Sequence, residues 1–161
     1  MNIVLFVDVK KILRTKSAKD SVWFYDNTGY SEGNGTTQLI SNCKPGTVVN
    51  WLVYSLDMER KPDGTWPAVA EIRNIVFLDP ESKETSRESP FEELKIYGGP
   101  DKIRSLYTSV YSYWSGNIRM DIGKSISPYR LVIGVDDTKN GSSFSFNVEG
   151  ASSQIISVNN E

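Results

Sequence analysis

Apolar side chains recur at every second position through most of this chain. That period demands β-strands, because only an extended backbone turns successive side chains to opposite faces. From Ser143 to Glu149, Phe144, Phe146 and Val148 fall on one side, and Ser143, Ser145, Asn147 and Glu149 on the other. Tyr129, Leu131, Ile133 and Val135 form a second row of this kind, opposite Arg130, Val132 and Gly134. Thr47 to Asp57 is apolar on both sides, with Val49, Trp51 and Val53 against Val48, Leu52, Tyr54 and Leu56, and reads as a mid-sheet strand covered on both faces. Further strands are expected over Asn2 to Val9, Ser21 to Asp26, Thr36 to Ser41, Ala68 to Leu78, Ile118 to Ile122 and Gln154 to Val158.

Turn-forming residues separate these segments: Asp26-Asn27-Thr28-Gly29, Gly33-Asn34-Gly35, Lys44-Pro45-Gly46, Lys61-Pro62-Asp63-Gly64, Ser115-Gly116-Asn117 and Asp137 to Gly141. Many short strands divided by turns predict an all-β fold, an antiparallel Greek-key-like β-sandwich with at most one or two short helices. The chain of 161 residues fits one domain over residues 1–161, with no repeat and no composition shift. Two stretches break the pattern. Val9 to Arg14 suits a short helical turn, and Pro80 to Pro90, almost without apolar residues, suits an exposed loop. Asp101 to Trp114 is ambiguous: Ile103, Leu106, Val110 and Trp114 have helical spacing, whereas its tyrosines and valine favour strand. We read a short helix there.

Histidine is absent, and this removes the usual general base at neutral pH and the commonest metal ligand. Ser-His-Asp and Cys-His catalysis, Cys/His zinc sites, blue copper and histidine-ligated haem are excluded. No phosphate-binding loop, nucleophile elbow or dinucleotide fingerprint occurs. No metal and no cofactor is expected. Asp136 and Asp137 with Asn140 offer oxygen atoms to calcium, but their spacing suits a solvated hairpin tip better. The formal charge of -2, with basic residues scattered among acids, gives no footprint for nucleic acid. No segment approaches the roughly 20 apolar residues of a membrane span. The run Ile3 to Val7, ahead of Asp8 and with no preceding base, lacks the features of a signal peptide. Together with the lone Cys43, read as a structural thiol, this suggests a cytoplasmic protein.

Aromatic residues make up 11% of the chain, and exposed rings are how many binding modules stack on sugars. Trp23 and Trp51 lie within apolar strand patterns and are expected in the core. Trp66, Tyr111, Tyr113 and Trp114 lie near loops and are the candidate ligand-binding residues. The carboxylate pairs Glu92-Glu93 and Asp57-x-Glu59 are of the kind a hydrolase uses, although neighbouring acids in one loop seldom converge on one substrate atom.

The segment Pro45-Gly46-Thr47-Val48-Val49-Asn50-Trp51 resembles the Pro-Gly turn and Val-x-x-Trp strand of copper-binding Greek-key sandwiches, without their histidine ligands. Three stretches resemble the PixA/AidA family of bacterial inclusion-body proteins. They are Ile3 to Val9 with Lys11-Ile12-Leu13, Gly33-Asn34-Gly35-Thr36-Thr37-Gln38-Leu39, and Pro45 to Trp51 ending at Tyr54-Ser55-Leu56. Tyr129 to Asp136 is similar to that family's late aromatic strand. Where the family has Gly-Asp this chain has Gly46-Thr47, and Phe144 to Val148 stands in place of its Trp-Asp-Pro ending. The resemblance implies a cytoplasmic β-sandwich with no catalytic residues to transfer. The expectation is therefore a non-catalytic protein acting by self-association, as a homo-oligomer, or by binding an unidentified partner, with Gln154 to Val158 as a candidate edge strand for assembly. The alternatives are a small-ligand or carbohydrate-binding module and, last, a carboxylate-dependent hydrolase.

Overall fold

The computed structural model describes residues 1–56, 62, 68–81, 88–98, 112–137, 141–148 and 154–158. Among these are ten strands and one helix: β1 (Asn2–Val7), α1 (Val9–Thr15), β2 (Val22–Asp26), β3 (Ile40–Cys43), β4 (Val48–Ser55), β5 (Val69–Phe77), β6 (Phe91–Gly98), β7 (Ser112–Ile118), β8 (Ser125–Asp137), β9 (Ser142–Asn147) and β10 (Gln154–Val158). The all-β class expected from the alternation is the class observed. The first sheet runs β2-β1-β4-β7-β6, and the second runs β3-β10-β8-β5 with β9 also paired to β8. Both sheets are mixed, because β1 lies parallel to β4 and β10 parallel to β3.

Each sheet turns one face inward. Ile3, Leu5 and Val7 of β1, Val49, Trp51 and Val53 of β4, and Tyr129, Leu131, Ile133 and Val135 of β8 are buried in one core. Aromatic rings bridge the layers there: Trp51 of the first sheet meets Tyr129 of the second edge-on at 6.0 Å, and Phe77 of the second lies 5.5 Å from Phe91 of the first, while Trp51 and Phe91 (5.3 Å) and Phe77 and Tyr129 (6.2 Å) are neighbours within their own sheets. Trp114 Nε1 crosses between sheets to donate to Ile72 O at 2.8 Å. The Ala70 amide donates to Ser55 Oγ, also at 2.8 Å. α1 starts where Asp8 Oδ1 accepts from the Lys11 amide at 2.8 Å, an N-cap that ends β1, and it packs Val9 and Ile12 into the core.

Several expectations are corrected. Gln154–Val158 is not an edge, because β10 is hydrogen-bonded on both sides, to β3 and to β8. Residues 36–39 are not strand. Thr36 Oγ1 instead accepts from the Gln38 amide and donates to Gly33 O, holding a turn, and β3 begins only at Ile40. That turn contains Gly33 at φ 75°, where an added Cβ would fall 2.1 Å from Gln38 O. The strand placed at Ile118 to Ile122 lies one element earlier, in β7, and stops at Ile118. Of the helix read over Asp101 to Trp114, residues 101–111 fall outside the described residues and 112–114 are strand. The mid-sheet place of β4 holds, but only its inner face is fully covered, with Val48 left 51% exposed.

β5 carries a bulge at Arg73, whose side chain lies across Gly134 so closely that a Cβ there would meet Nε at 2.0 Å. Arg73 pairs with Glu71 and with Asp136, at 3.2 and 2.7 Å. Asp136, weighed above as a calcium ligand, is thus engaged by a guanidinium.

Trp51 Nε1 and the Tyr129 hydroxyl are buried without a hydrogen-bond partner of good geometry among the described residues. Burial pushes the Tyr129 phenol far above its usual range, with the neighbouring Trp51 indole opposing. Substituting Tyr129→Phe should therefore leave stability unchanged or raise it by about 1 kcal/mol in urea denaturation, because a buried unsatisfied hydroxyl is costly. The unfolded tyrosine ionises near pH 10 while the folded one stays protonated, so stability is lost as pH rises above about 10, and the Phe variant should lose less. A loss above about 1 kcal/mol at neutral pH would show that the hydroxyl is bonded.

Candidate functional site

The outward positions of the first sheet are unusually aromatic. Cross-strand register places Trp23, Phe6 and Tyr54 in one row, and Tyr25, Val4, Leu52, Tyr113 and Tyr97 in the next. Phe6 meets Tyr25 edge-on at 5.6 Å and stacks on Tyr54 at 5.8 Å, while Tyr97 and Tyr113 stack at 5.4 Å with planes 16° apart. Tyr25, Tyr97 and Tyr113 are 42%, 45% and 37% exposed. Six rings and two aliphatic side chains thus make a continuous apolar platform on a face that ordinarily carries polar residues.

A polar row borders the platform. Asn50 Nδ2 donates to Asn2 Oδ1 at 2.9 Å, and Ser115 Oγ donates to Asn50 Oδ1 at 2.7 Å. Lys95 continues that row, and Glu93, its ion-pair partner, lies one row further with Asn117. Hydrogen bonding to Glu93 raises the Lys95 pKa.

Asp26 anchors the corner beside Tyr25. Its carboxylate accepts from the Thr28 amide at 3.0 Å, the Thr28 hydroxyl at 2.9 Å, Ser41 Oγ at 2.6 Å and, at closer range, Ser31 Oγ. Burial raises the pKa of this carboxyl, and the bonds from Ser31, Ser41 and Thr28 outweigh it, so the group sits below its ordinary value. The loop so held brings Gly35 against the Tyr25 hydroxyl, with only 3.0 Å to an added Cβ.

Of the candidate ligand-binding residues, Trp66 and Tyr111 lie outside the described residues. Tyr113 is on the aromatic platform. Trp114 is not: as the next residue in β7 it points inward, half-buried against the core, and its indole N–H is committed to Ile72. The two therefore cannot line one site. Trp51 is in the core as expected, but Trp23 sits on the outer face and is only half-buried. The sequence reading missed Phe6, Tyr25, Tyr54 and Tyr97 as members of this face, although Phe6, Tyr25 and Tyr54 are in phase with Val4, Trp23 and Leu52. Glu92 and Glu93 are both exposed, Glu93 bound to Lys95 and Glu92 accepting from Asn117 at 3.5 Å. Asp57 and Glu59 lie outside the described residues. Among the described residues no group of three or more Cys, Asp or Glu side chains could hold a metal ion, and no helix is long and apolar enough to cross a membrane. Cys43 is buried, its thiol pushed up to about 11 by burial.

Asp26→Asn should lower stability by about 1–2 kcal/mol at pH 7, since charge-assisted bonds to a partly solvated group are replaced by weaker ones. The wild-type contribution is present above the unfolded carboxylate value near 3.9 and is lost as pH falls through the lower folded value. Urea midpoints measured from pH 7 to pH 3 should therefore converge for the two proteins at the acid end.

A family profile described as a domain of unknown function (DUF8788) matches residues 1–63, which end just beyond β4. No curated protein matches the chain. Among solved structures, the chain is similar to the crystal structure of an inclusion body protein, PixA, from Burkholderia cenocepacia. The TM-score is 0.60 with 11% sequence identity, over 98% of this chain and 94% of that one. At that identity the similarity establishes a shared fold.

Proposed function

We propose that this chain is a non-catalytic β-sandwich of the inclusion-body type that acts by self-association, with the aromatic face of the first sheet packing against the same face of a second copy. The observation that carries this reading is the platform of Phe6, Trp23, Tyr25, Tyr54, Tyr97 and Tyr113, which leaves rings exposed where an antiparallel or mixed sheet normally meets water. Five strands about 4.8 Å apart and four rows of side chains give a footprint of about 24 by 20 Å. With side-chain relief this approaches the about 800 Å² per partner of a standard interface. Among the described residues Glu93 and Lys95 on it neutralise each other, and Glu92, beside Asn117 at the polar border, is the remaining charge. A net charge of -2 likewise opposes association little.

The similarity to a protein named for inclusion bodies supports the same reading, as does the absence of histidine chemistry. It extends to PixA/AidA membership and a bacterial cytoplasmic setting, with which a lone buried thiol agrees. Analytical ultracentrifugation from micromolar to millimolar concentration should show a reversible dimer or larger species. The triple substitution Tyr25→Thr, Tyr97→Thr and Tyr113→Thr, which keeps β-propensity, should shift the midpoint of association by about tenfold or more. A wild-type protein that stays monomeric at millimolar concentration overturns the proposal.

A carbohydrate-binding reading is favoured by one feature, the exposed parallel pair Tyr97 and Tyr113 beside the Asn50 and Ser115 polar row. Glycan-array binding that is lost in Tyr113→Thr would select it over self-association.

A further inference from the structure

We infer that copies of this chain also dock end to end, the basic end that carries α1 meeting the acidic end of the next copy, where a cleft beside Arg119 receives a lysine or arginine side chain. The inference rests on the self-association proposed above and adds a second, different contact to it. Strand direction sets the two ends. β1 and β4 are parallel and finish together, and α1 follows β1 there. β7 runs against β4, so Ile118, its last residue, lies at the far end beside Phe91, which opens β6. β8 starts at that far end too, since Phe77, where β5 finishes, packs on Phe91 and pairs with Tyr129.

Charge is divided between these ends. Residues 10–19 hold Lys10, Lys11, Arg14, Lys16 and Lys19 and no acid. Asp8 and Asp20 flank them, and Arg73 leaves one of Glu71 and Asp136 in excess, so this end keeps a positive balance. Arg14, Lys16 and Lys19 are exposed and have no carboxylate partner among the described residues. At the far end Asp79, Glu81, Glu88, Glu92 and Asp121 outnumber Lys44, Arg119 and Lys124.

The cleft at the acidic end holds about 300 Å³, and Glu88, Arg119, Asp121, Ile122, Ser125 and Ser127 are in its wall. Asp121 accepts from two nitrogens of Arg119, both at 3.0 Å, and Glu88 accepts from a third at 3.4 Å. Hydrogen bonding to Asp121 raises the Arg119 pKa, and the charges of Asp121, Glu88 and Glu92 add to it. Three carboxylates thus surround one guanidinium, which favours a further cation and disfavours an anion. Ser127 takes an inward position of β8, in phase with Tyr129; it is 7% exposed, and its hydroxyl has no partner among the described residues. Ser125 Oγ, the next inward position, is buried and unpartnered as well. An incoming ammonium or guanidinium gives such a hydroxyl a donor, while Ile122 meets the apolar stem. Contact between unlike ends builds a file of molecules rather than a closed pair, so with face-to-face pairing of the aromatic platform the assembly extends in a second direction.

The test follows association of the full chain by analytical ultracentrifugation, in the wild-type background and in the Tyr25→Thr, Tyr97→Thr, Tyr113→Thr background. One variant reverses the basic end with Arg14→Glu and Lys19→Glu, and another the acidic end with Glu88→Lys and Glu92→Lys. All four side chains are exposed, so Tm should hold. At low salt each reversal alone should weaken association by about tenfold or more, and an equimolar mixture of the two should restore it, because each variant then offers ends opposite in charge to the other's. Salt at about 1 M, where the screening length is about 3 Å, should weaken the same contact. Ser127→Ala should keep or raise Tm and weaken association by about threefold. Association untouched by either reversal, a mixture no better than its components, or Ser127→Ala protein that associates as tightly as its parent overturns the inference. Loss in the threonine background without response to the reversals sinks this contact and spares the platform; response to the reversals with no effect of the threonines does the opposite.

Discussion

The contact on which the fold depends is the meeting of Trp51 with Tyr129 between the sheets, flanked by Phe91 of Trp51's own sheet. Trp51 comes from the central strand of the first sheet and Tyr129 from the longest strand of the second, so a single packing event joins the middle of each layer. Edge-on rings of this size bury large apolar areas and fix the spacing of the layers. Among the described residues the indole N–H and the phenol hydroxyl have no hydrogen-bond partner of good geometry, so packing has outweighed their desolvation. Once Trp51 faces inward, the two-residue period of β4 sends Leu52 and Tyr54 to the other side.

That other side is where the protein departs from an ordinary sandwich. The sheet is apolar on both faces, yet its outer rows fade from rings, through a hydrogen-bonded Asn-Asn-Ser row, to a paired lysine and glutamate. A face graded in this way has one hydrophobic end and one wet end, the anatomy of an interface with a polar rim. The Asp26 cluster holds the loop that borders Tyr25, so the edge of the platform is organised by a charge set into hydroxyl and amide donors. The opposite sheet is treated differently: Arg73, bulged out of β5, gathers Glu71, Asp136, Ser143 and Ser145 into one polar network. One outer face is rich in aromatic rings, and the other carries the Arg73 network of ion pairs and hydrogen bonds.

The corrections to the sequence reading share a cause. β6 was not anticipated because Phe91 to Gly98 carries Glu92, Glu93 and Lys95 among its apolar residues, the composition of a guarded edge strand, and a bulge at its start breaks the alternation. The edge position expected of β10 fails because local sequence says nothing about lateral neighbours, and β10 is enclosed by β3, a strand more than a hundred residues away in sequence. Trp23 departs from its expected place in the core because, in a strand apolar on both faces, alternation fixes which residues share a side but not which side faces in.

By itself the sequence determined the class of fold, the strands β1, β2, β4, β5, β9 and β10 to within two residues at either end, the inner part of β8, the short helix after Asp8 and the exclusion of histidine-based chemistry. Each of these rests on local backbone geometry or on composition, which are properties of consecutive residues. Tertiary structure alone decided the order of strands in the sheets, the parallel pairings, the separation of Tyr113 from Trp114 and the gathering of Phe6, Tyr25, Tyr54, Tyr97 and Tyr113 on one face. These depend on which strands become neighbours, and that choice is made by non-local packing of the core, which no window of sequence contains.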